Sequence, residues 1–159
     1  MSEREPMTVT GYQRLKEELK DLKTVQRVKV SQDIEEARAH GDLSENAEYH
    51  AAKEKQAFIE GRIKELESKL ALAEVINPSE LSGEKVVFGA TVTVMDVETE
   101  EESRYQIVGV EEADIKEGKI SVTAPMARAM IGRRVGDTTT VRLPKSGAKE
   151  YEIIDVEFV

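Results

Sequence analysis

The chain contains no cysteine and no tryptophan, and its only histidines are His40 and His50. These absences exclude disulfides, thiolate catalysis and cysteine-based zinc sites, and a histidine-rich metal centre is not expected. No segment approaches the ~20 consecutive apolar residues of a membrane span. Residues 1–6 also lack the apolar stretch of a signal peptide. We therefore expect a soluble, cytoplasmic protein.

The composition is acidic and poor in aromatic residues. Among 159 residues, 23 are Lys or Arg and 32 are Asp or Glu, so the formal net charge is −9. Non-specific duplex binding needs a basic face that displaces counterions, so we expect no independent specific DNA binding. Aromatic residues make up 4% and charged residues 35% of the chain, which disfavours one thick core. An elongated or two-domain architecture is expected instead.

The composition changes along the chain and predicts two domains. The first half is rich in Lys, Glu, Ala and Leu, and the second half in Val, Thr, Ile and Gly. Residues 77–83, NPSELSG, contain the helix breakers typical of a junction. We assign residues 1–77 to a helical arm with a tip at 41–46, residues 78–85 to a linker, and residues 86–159 to a C-terminal domain.

The first half contains two helical patterns around a breaker segment at residues 39–44. Thr10 fits a capping box at the start of the first helix, although Thr8 is an alternative start. Apolar residues recur at spacings of three and four, which predicts an antiparallel coiled coil of two helices. The expected facing pairs are Tyr12 with Ala73, Leu15 with Leu70, Leu19 with Leu66, Leu22 with Ile63, Gln26 with Ile59, Lys29 with Gln56, Asp33 with Ala52, and Glu36 with Tyr49.

This register makes the seam apolar at the open end and polar toward the turn. With about 30 residues per helix, the arm is expected to be roughly 45 Å long. A two-helix coiled coil is typical of a dimerisation element or a spacer. We take the predicted loss of apolar contacts toward the turn as an indication that the arm has another role.

The second half predicts an antiparallel sheet. Val92 and Val94 alternate with Thr91 and Thr93, and about five or six such segments follow one another. One interruption, residues 124–132, has a proline near its start and a glycine at its end, as a short helix does. The whole chain is therefore predicted to be α+β, with a coiled-coil arm and a sheet packed on one short helix.

Asp42 and Glu45 are the candidate functional residues of the turn. Their spacing can bring both carboxylates to one side of the tip, where they suit an oxygen-ligated cation such as Mg²⁺ but supply only part of its shell. The alternative is structural, because an Asp at an N-cap with a Glu three residues later is a common capping arrangement. Ser44 is an equally good N-cap candidate.

A basic stripe is predicted on the first helix. It consists of Lys16, Lys20, Lys23 and Arg27, spaced by four, three and four residues. Such a stripe is usually a solvated face with ion pairs. The functional alternative is a weak guiding contact for a nucleic-acid strand.

Three segments resemble the bacterial transcript cleavage factors of the GreA/GreB family. Residues 41–54, GDLSENAEYHAAKE, are similar to the tip signature of that family. Residues 7–11, MTVTG, resemble its opening, and residues 124–137, APMARAMIGRRVGD, resemble its C-terminal signature. One departure is Ala124, where the family pattern has Ser. The resemblance spans essentially the whole chain, and the acidic composition with a short basic stripe favours the GreA branch.

The resemblance implies a function in transcription elongation. An FKBP-like C-terminal domain would dock on RNA polymerase, and the arm would enter the secondary channel. There Asp42 and Glu45 would help to hold the second Mg²⁺ of the polymerase, with Ser44, Asn46 and Tyr49 shaping the tip. The polymerase itself would then cleave backtracked nascent RNA, whose 3′ end lies near the basic stripe.

The same resemblance implies a monomer that is not itself an enzyme and binds no cofactor when free. Two alternatives remain open. One is a family member that occupies the channel and inhibits cleavage, which the intact tip motif disfavours. The other is a coiled-coil adaptor or chaperone, for which an apolar groove or tip would be expected.

Overall fold

The computed structural model describes residues 4–41, 46–145 and 147–159. Contacts between residues divide the chain into two compact units, each treated separately below. One contains Tyr12–Ala73, and the other contains Arg4–Gly11 together with Glu74–Val159. Residues 4–11 thus group with the C-terminal part of the chain, which composition alone does not indicate. None of the helices in the described ranges has the length and hydropathy needed to span a membrane.

The first unit is a long helical hairpin, as predicted. Its elements are α1 (Val9–Asp21), a π-helical turn (Leu22–Gln26), α2 (Arg27–Ala39) and α3 (Ala47–Leu72). Leu15 of α1 and Leu22 of the π-helical turn are buried. Ile59, Ile63 and Leu66 are buried on α3. The predicted apolar seam therefore forms the interior of the hairpin near its open end.

The π-turn changes the register of the first helix. The Arg27 N–H donates to the Leu22 carbonyl, five residues earlier, whereas an α-helix uses the carbonyl four residues earlier. One additional residue is therefore accommodated within the turn. Every side chain after Gln26 is rotated relative to the position that a continuous α-helix would give it.

The prediction of a polar seam toward the tip is wrong for this reason. The buried residues of α2 are Val30, Ile34 and Ala37, each one position after the residue expected on the seam. Lys29 and Glu36 are exposed. The seam of the first helix thus remains apolar to its end, because the π-turn compensates for one extra residue between Leu22 and Val30.

The second unit contains a five-stranded sheet and a two-stranded sheet. β1 (Glu5–Thr8) pairs with β2 (Ala73–Ile76). The larger sheet has the order β5-β4-β3-β7-β6. Its strands are β3 (Thr91–Asp96), β4 (Glu102–Val108), β5 (Lys119–Ser121), β6 (Thr138–Leu143) and β7 (Gly147–Glu157).

The sheet is antiparallel except at one edge. β3 pairs antiparallel with both β4 and β7, and β6 pairs antiparallel with β7, whereas β4 and β5 are parallel. The short helix α4 (Pro125–Met130) carries its proline in the first turn, as predicted. Val92 and Val94 are fully buried together with Ile107, Met130 and Ile153. The α+β architecture expected from alternation is therefore confirmed.

The start of α1 is capped by a side chain from far along the chain. The Gly11 N–H donates to Thr8 Oγ1 at 3.1 Å, so Thr8, not Thr10, is the N-cap. The Thr8 N–H donates to Glu112 Oε1 at 2.8 Å, and the Thr8 hydroxyl donates to Glu112 Oε2. In an ordinary capping box, the carboxylate that accepts the N-cap N–H belongs to the third residue of the helix. Here that residue is Gly11, and Glu112 supplies the carboxylate instead.

Gly11 is required by this arrangement. A Cβ added at position 11 would lie 2.1 Å from Cδ of Glu112. Glu112 is only 7% exposed, and its Oε1 also receives the Gly109 N–H at 3.4 Å. Loss of this carboxylate would leave the Thr8 N–H buried without an acceptor, which costs about 1–3 kcal/mol.

We predict that deletion of Thr24 is tolerated by the hairpin. Thr24 is exposed within the π-turn, and its deletion makes the first helix continuously α-helical with Val30, Ile34 and Ala37 still on the seam. The helical circular dichroism signal and its melting midpoint should equal or exceed those of the wild type.

Deletion of Lys64, an exposed residue of α3, is the matched control. It lies between Ile63 and Leu66 in a regular helix, so its loss turns the preceding apolar side chains away from the seam. Each displaced side chain costs about 1.5–3 kcal/mol, and the melting midpoint should fall by several degrees. Equal losses for the two deletions would contradict our description of the π-turn.

A capping-box transplant tests the role of Glu112. Glu112→Ala should destabilise the protein by about 1–3 kcal/mol, and Gly11→Glu alone should also destabilise it because the site is filled. The double variant would form a local capping box between Thr8 and the glutamate introduced at position 11. It should therefore be more stable than the Glu112→Ala variant. The measurement is urea denaturation of all four proteins. A double variant that is less stable than both single variants would show that Glu112 does not act as a cap.

Candidate functional site at the tip of the helical arm

The first helix ends sharply at the tip. α2 stops at Ala39, and His40 is its C-cap. The His40 N–H donates to the Ala37 carbonyl at 3.2 Å, and the Gly41 N–H donates to the Arg38 carbonyl at 3.2 Å. Gly41 follows with φ of +104°, a left-handed conformation that glycine adopts readily. His40 is therefore a helix C-terminal residue, and the glycine permits the chain to leave the helix.

Asn46 fixes the start of α3. Its Oδ1 accepts the Tyr49 N–H at 3.0 Å, which is an N-cap bond. Its Nδ2 donates to the Ala37 carbonyl at 2.6 Å, which also accepts the His40 N–H at the end of α2. The Asn46 side chain therefore caps the start of α3 and also bonds the end of α2, so it connects the two helix termini.

The predicted acidic residues Asp42 and Glu45, and Ser44 between them, lie outside the described residues. The N-cap of α3 among the described residues is Asn46. The proposed contribution of Asp42 and Glu45 to a metal site stays a prediction.

Tyr49 is half-buried in the first turn of α3. Its ring meets that of His50 edge to face, with centroids 5.7 Å apart. Nearby, a groove of about 360 Å³ lies between α2 and α3, and acidic side chains contribute to its lining. They are Asp33, Glu36 and Glu48. Within residues 4–41, 46–145 and 147–159, however, no group of three or more His, Cys, Asp or Glu is placed to hold a metal ion.

The basic stripe is divided between two roles. Lys23 pairs with Glu67 at 3.0 Å, and Arg27 forms a bidentate pair with Glu60 at 2.8 and 2.9 Å. These pairs join the two helices of the hairpin. Lys16 lies over the Tyr12 ring at 5.5 Å, and Lys20 is exposed. A contact of the stripe with RNA therefore stays a prediction, with half of its cations already bound to carboxylates.

The Arg27–Glu60 pair has a defined electrostatic effect. The hydrogen bond from Arg27, more than their Coulombic attraction, holds the pKa of Glu60 below its ordinary value. The same bond raises the pKa of Arg27. A carboxylate with a depressed pKa contributes stability at neutral pH and loses it as acid protonates the group. Because both side chains are solvated, the contribution is small.

Sequence reasoning missed two features of this unit. Asn46 was expected to shape the tip, but its cap and its bond to Ala37 were not foreseen. The π-turn was also missed, although a signal exists: Val30, Ile34 and Ala37 repeat the helical spacing one position late. When one residue is inserted into a helix, the apolar residues that follow it keep their spacing but are displaced by one position along the sequence.

Comparison with known protein families places both units in one group. A family model described as "Transcription elongation factor, N-terminal" matches residues 5–75. A second, "Transcription elongation factor, GreA/GreB, C-term", matches residues 81–158. The chain belongs to the GreA/GreB family of transcription elongation factors. The family resemblance noted in the sequence is thereby confirmed.

Proteins named transcription elongation factor GreA are similar to this chain over nearly their full length. The chain is 62% identical over 157 residues to "Transcription elongation factor GreA" of Caulobacter sp. (strain K31), covering 99% of each chain. It is 57% identical to the protein of that name from Xylella fastidiosa, with 98% of this chain and 99% of the relative covered. These relatives agree with the GreA branch of the family.

Two solved structures are similar to the chain at lower sequence identity. GreA factor homolog 1 (Gfh1) of Thermus thermophilus is 30% identical, with a TM-score of 0.44 over 97% of this chain and 99% of that chain. A GreA/GreB factor from Nitrosomonas europaea is 24% identical, with a TM-score of 0.43 over 98% and 100% of the two chains.

Proposed function

We propose that this GreA/GreB family member binds RNA polymerase and stimulates the cleavage of backtracked nascent RNA by the polymerase. The C-terminal unit docks on the enzyme, and the helical arm enters the secondary channel. The tip then reaches the active centre. Cleavage creates a new RNA 3′ end from which an arrested complex resumes synthesis.

The observation that carries this proposal is the combination of family membership with the tip sequence. Residues 41–54 retain the acidic tip signature, and Asp42 and Glu45 lie in the segment that connects α2 with α3. Asn46, which follows this segment, caps α3.

The chemistry assigned to the tip is limited. Carboxylate oxygens are preferred ligands of Mg²⁺, and two of them leave most of its shell to other groups. Asp42 and Glu45 would hold the Mg²⁺ of the polymerase centre and orient the attacking water. Phosphodiester hydrolysis by two metal ions is the reaction class. The protein acts as a monomer, binds no cofactor of its own and performs no hydrolysis alone.

We predict that Asp42→Asn and Glu45→Gln each reduce stimulated cleavage about 100-fold or more, since charge stabilisation by a metal is worth several kcal/mol. Asn keeps the shape of Asp and caps helices about as well, so a purely structural role predicts normal activity. The measurement is cleavage of labelled RNA in backtracked elongation complexes, with and without protein.

Glu48→Gln is the matched control, because it removes one negative charge from the exposed first turn of α3. It should cleave nearly as well as the wild type. Wild-type activity of Asp42→Asn would overturn the assignment of this residue. Inhibition of cleavage by the unmodified protein would favour the channel-blocking alternative, and failure to bind polymerase would favour an adaptor.

A further inference from the structure

β6 forms one edge of the large sheet, because β7 is its only neighbouring strand among the described residues. The Ile153 N–H of β7 donates to the carbonyl of Asp137, just before β6, at 2.8 Å. Bonding residues alternate along a pair of antiparallel strands, so the residues two, four and six positions after Asp137 also bond β7. They are Thr139, Val141 and Leu143. The residues between them therefore direct their N–H and carbonyl groups away from the sheet.

The outward backbone groups of β6 belong to Thr138, Thr140 and Arg142. The Glu150 carbonyl lies opposite Thr140 but accepts the Val97 N–H at 3.0 Å, on the other side of β7. Within the described residues, no backbone group outside the β6–β7 pair bonds Thr138, Thr140 or Arg142. An unpaired strand edge of this kind is a template for an additional strand.

A groove follows this free edge, and α4 forms its other wall. It consists of two adjoining depressions of about 480 and 460 Å³, which share Arg128, Ala129 and Thr140. Every residue from 138 to 142 contributes to the lining. Because consecutive strand residues point to opposite faces, this unbroken row shows that the edge of β6 is the groove wall. We call the surface lined by α4 and by residues 131–133 and 138–142 the strand-edge groove.

α4 lies against the buried face of β6. The Thr139 hydroxyl donates to the Ala129 carbonyl at 2.7 Å, and Thr139 and Val141 are both buried. Directly opposed residues of neighbouring strands share a face of the sheet. In a strand added to β6, the residues opposite Thr139 and Val141 would therefore point toward α4, and the alternate residues would point away from it.

Three arginines make the strand-edge groove positive in a chain with a net charge of −9. They are Arg128, Arg133 and Arg142, and the described lining residues include no Asp or Glu. Each arginine is exposed, and none forms an ion pair within residues 4–41, 46–145 and 147–159. Arg142 shares with Glu150 of β7 the sheet face that points away from α4. The uncompensated charge beside α4 therefore belongs to Arg128 and Arg133.

We propose that the strand-edge groove binds an extended acidic segment of a partner protein as a sixth strand of the sheet. The backbone of the segment bonds the outward groups of β6, as in PDZ and PTB domains, which add a peptide strand to a sheet edge. Every second side chain of the segment is a carboxylate that points toward Arg128 and Arg133. Arginine forms two parallel hydrogen bonds with a carboxylate, which makes this pairing specific as well as attractive.

The backbone edge favours a peptide over a phosphate ligand. A phosphate would satisfy the arginines and the outward N–H groups, but it has no N–H donors for the outward carbonyls of Thr138, Thr140 and Arg142. A peptide strand supplies both donors and acceptors. The groove belongs to the second unit and contains none of the tip residues, so the inference does not depend on the proposed function.

A synthetic peptide provides the first test. The seven-residue peptide Thr-Glu-Thr-Glu-Thr-Glu-Thr, blocked at both ends, places its glutamates toward α4 when its threonines bond β6. Titrated into the full-length protein and followed by NMR, it should bind saturably with a Kd below about 1 mM. Replacing the third and fifth threonines with proline keeps the charge but removes two N–H donors to β6. That peptide should bind at least about tenfold more weakly.

Amide hydrogen exchange reports the pairing of the added strand. In the free protein, the Thr138 and Thr140 amides should exchange quickly, because neither bonds β7. The saturating peptide should slow their exchange by about tenfold or more. The Thr139 and Val141 amides already bond β7, so their slow exchange should stay nearly unchanged. An ion that merely contacts the arginines would not produce this alternation.

Protein variants separate the charge from the strand edge. Arg128→Gln with Arg133→Gln should weaken peptide binding about tenfold. Arg134→Gln is the matched control, because Arg134 is exposed nearby but does not line the groove, and it should change the Kd less than about twofold. Thr140→Pro removes one outward N–H, which edge strands tolerate, and should abolish binding in a protein whose circular dichroism is unchanged.

Three results would each overturn the proposal. One is the absence of saturable peptide binding up to about 5 mM. Another is equal affinity for the proline-containing peptide, which would show ionic contact without strand pairing. The third is tighter binding of inorganic tripolyphosphate than of the peptide at the same amides, which would identify a phosphate site. The peptide and the arginine variants keep the test decisive if Thr140→Pro does not fold.

Discussion

The helical arm depends on one backbone hydrogen bond, from the Arg27 N–H to the Leu22 carbonyl. This bond closes a turn that contains one residue more than an α-helical turn. Burying Val30 and Ile34 stabilises the hairpin by about 1.5–3 kcal/mol each. An ordinary backbone hydrogen bond lost in such a turn would cost about 0.5–1.5 kcal/mol. The apolar burial is larger, so the helix adopts the irregular turn.

The register set by the π-turn also affects the tip of the arm. Since the seam stays apolar to Ala37, α2 and α3 remain packed up to the point where Asn46 joins them. The segment bearing Asp42 and Glu45 therefore starts and ends on fixed helix termini. A seam that fades toward the tip would distinguish this arm from a spacer. The seam of the first helix stays apolar to Ala37, so the tip sequence and the family membership support the proposed function instead.

Sequence periodicity predicted which segments form helices and strands, but it did not predict the register of the first helix beyond Leu22. Heptad spacing identified both helices and the burial of Leu15 and Leu22, and alternation identified Val92 and Val94 in the sheet. It failed beyond Leu22, because an inserted residue in a continuous helix leaves no proline or glycine signal. The capping carboxylate of Glu112 was unpredictable, because 104 residues separate it from Thr8. For Asp42 and Glu45 the sequence supplies the chemistry, and their geometry lies outside the described residues.

The register of the arm is best measured by disulfide formation, because the chain has no cysteine of its own. Two double variants are compared under mild oxidation: Ile34→Cys with Ala52→Cys, and Asp33→Cys with Ala52→Cys. A disulfide requires Cα atoms about 4.4–6.8 Å apart and Cβ atoms that face each other. The shifted seam predicts rapid cross-linking of positions 34 and 52 and slow cross-linking of 33 and 52. The reverse order would show that the first helix continues without an additional residue in its turn.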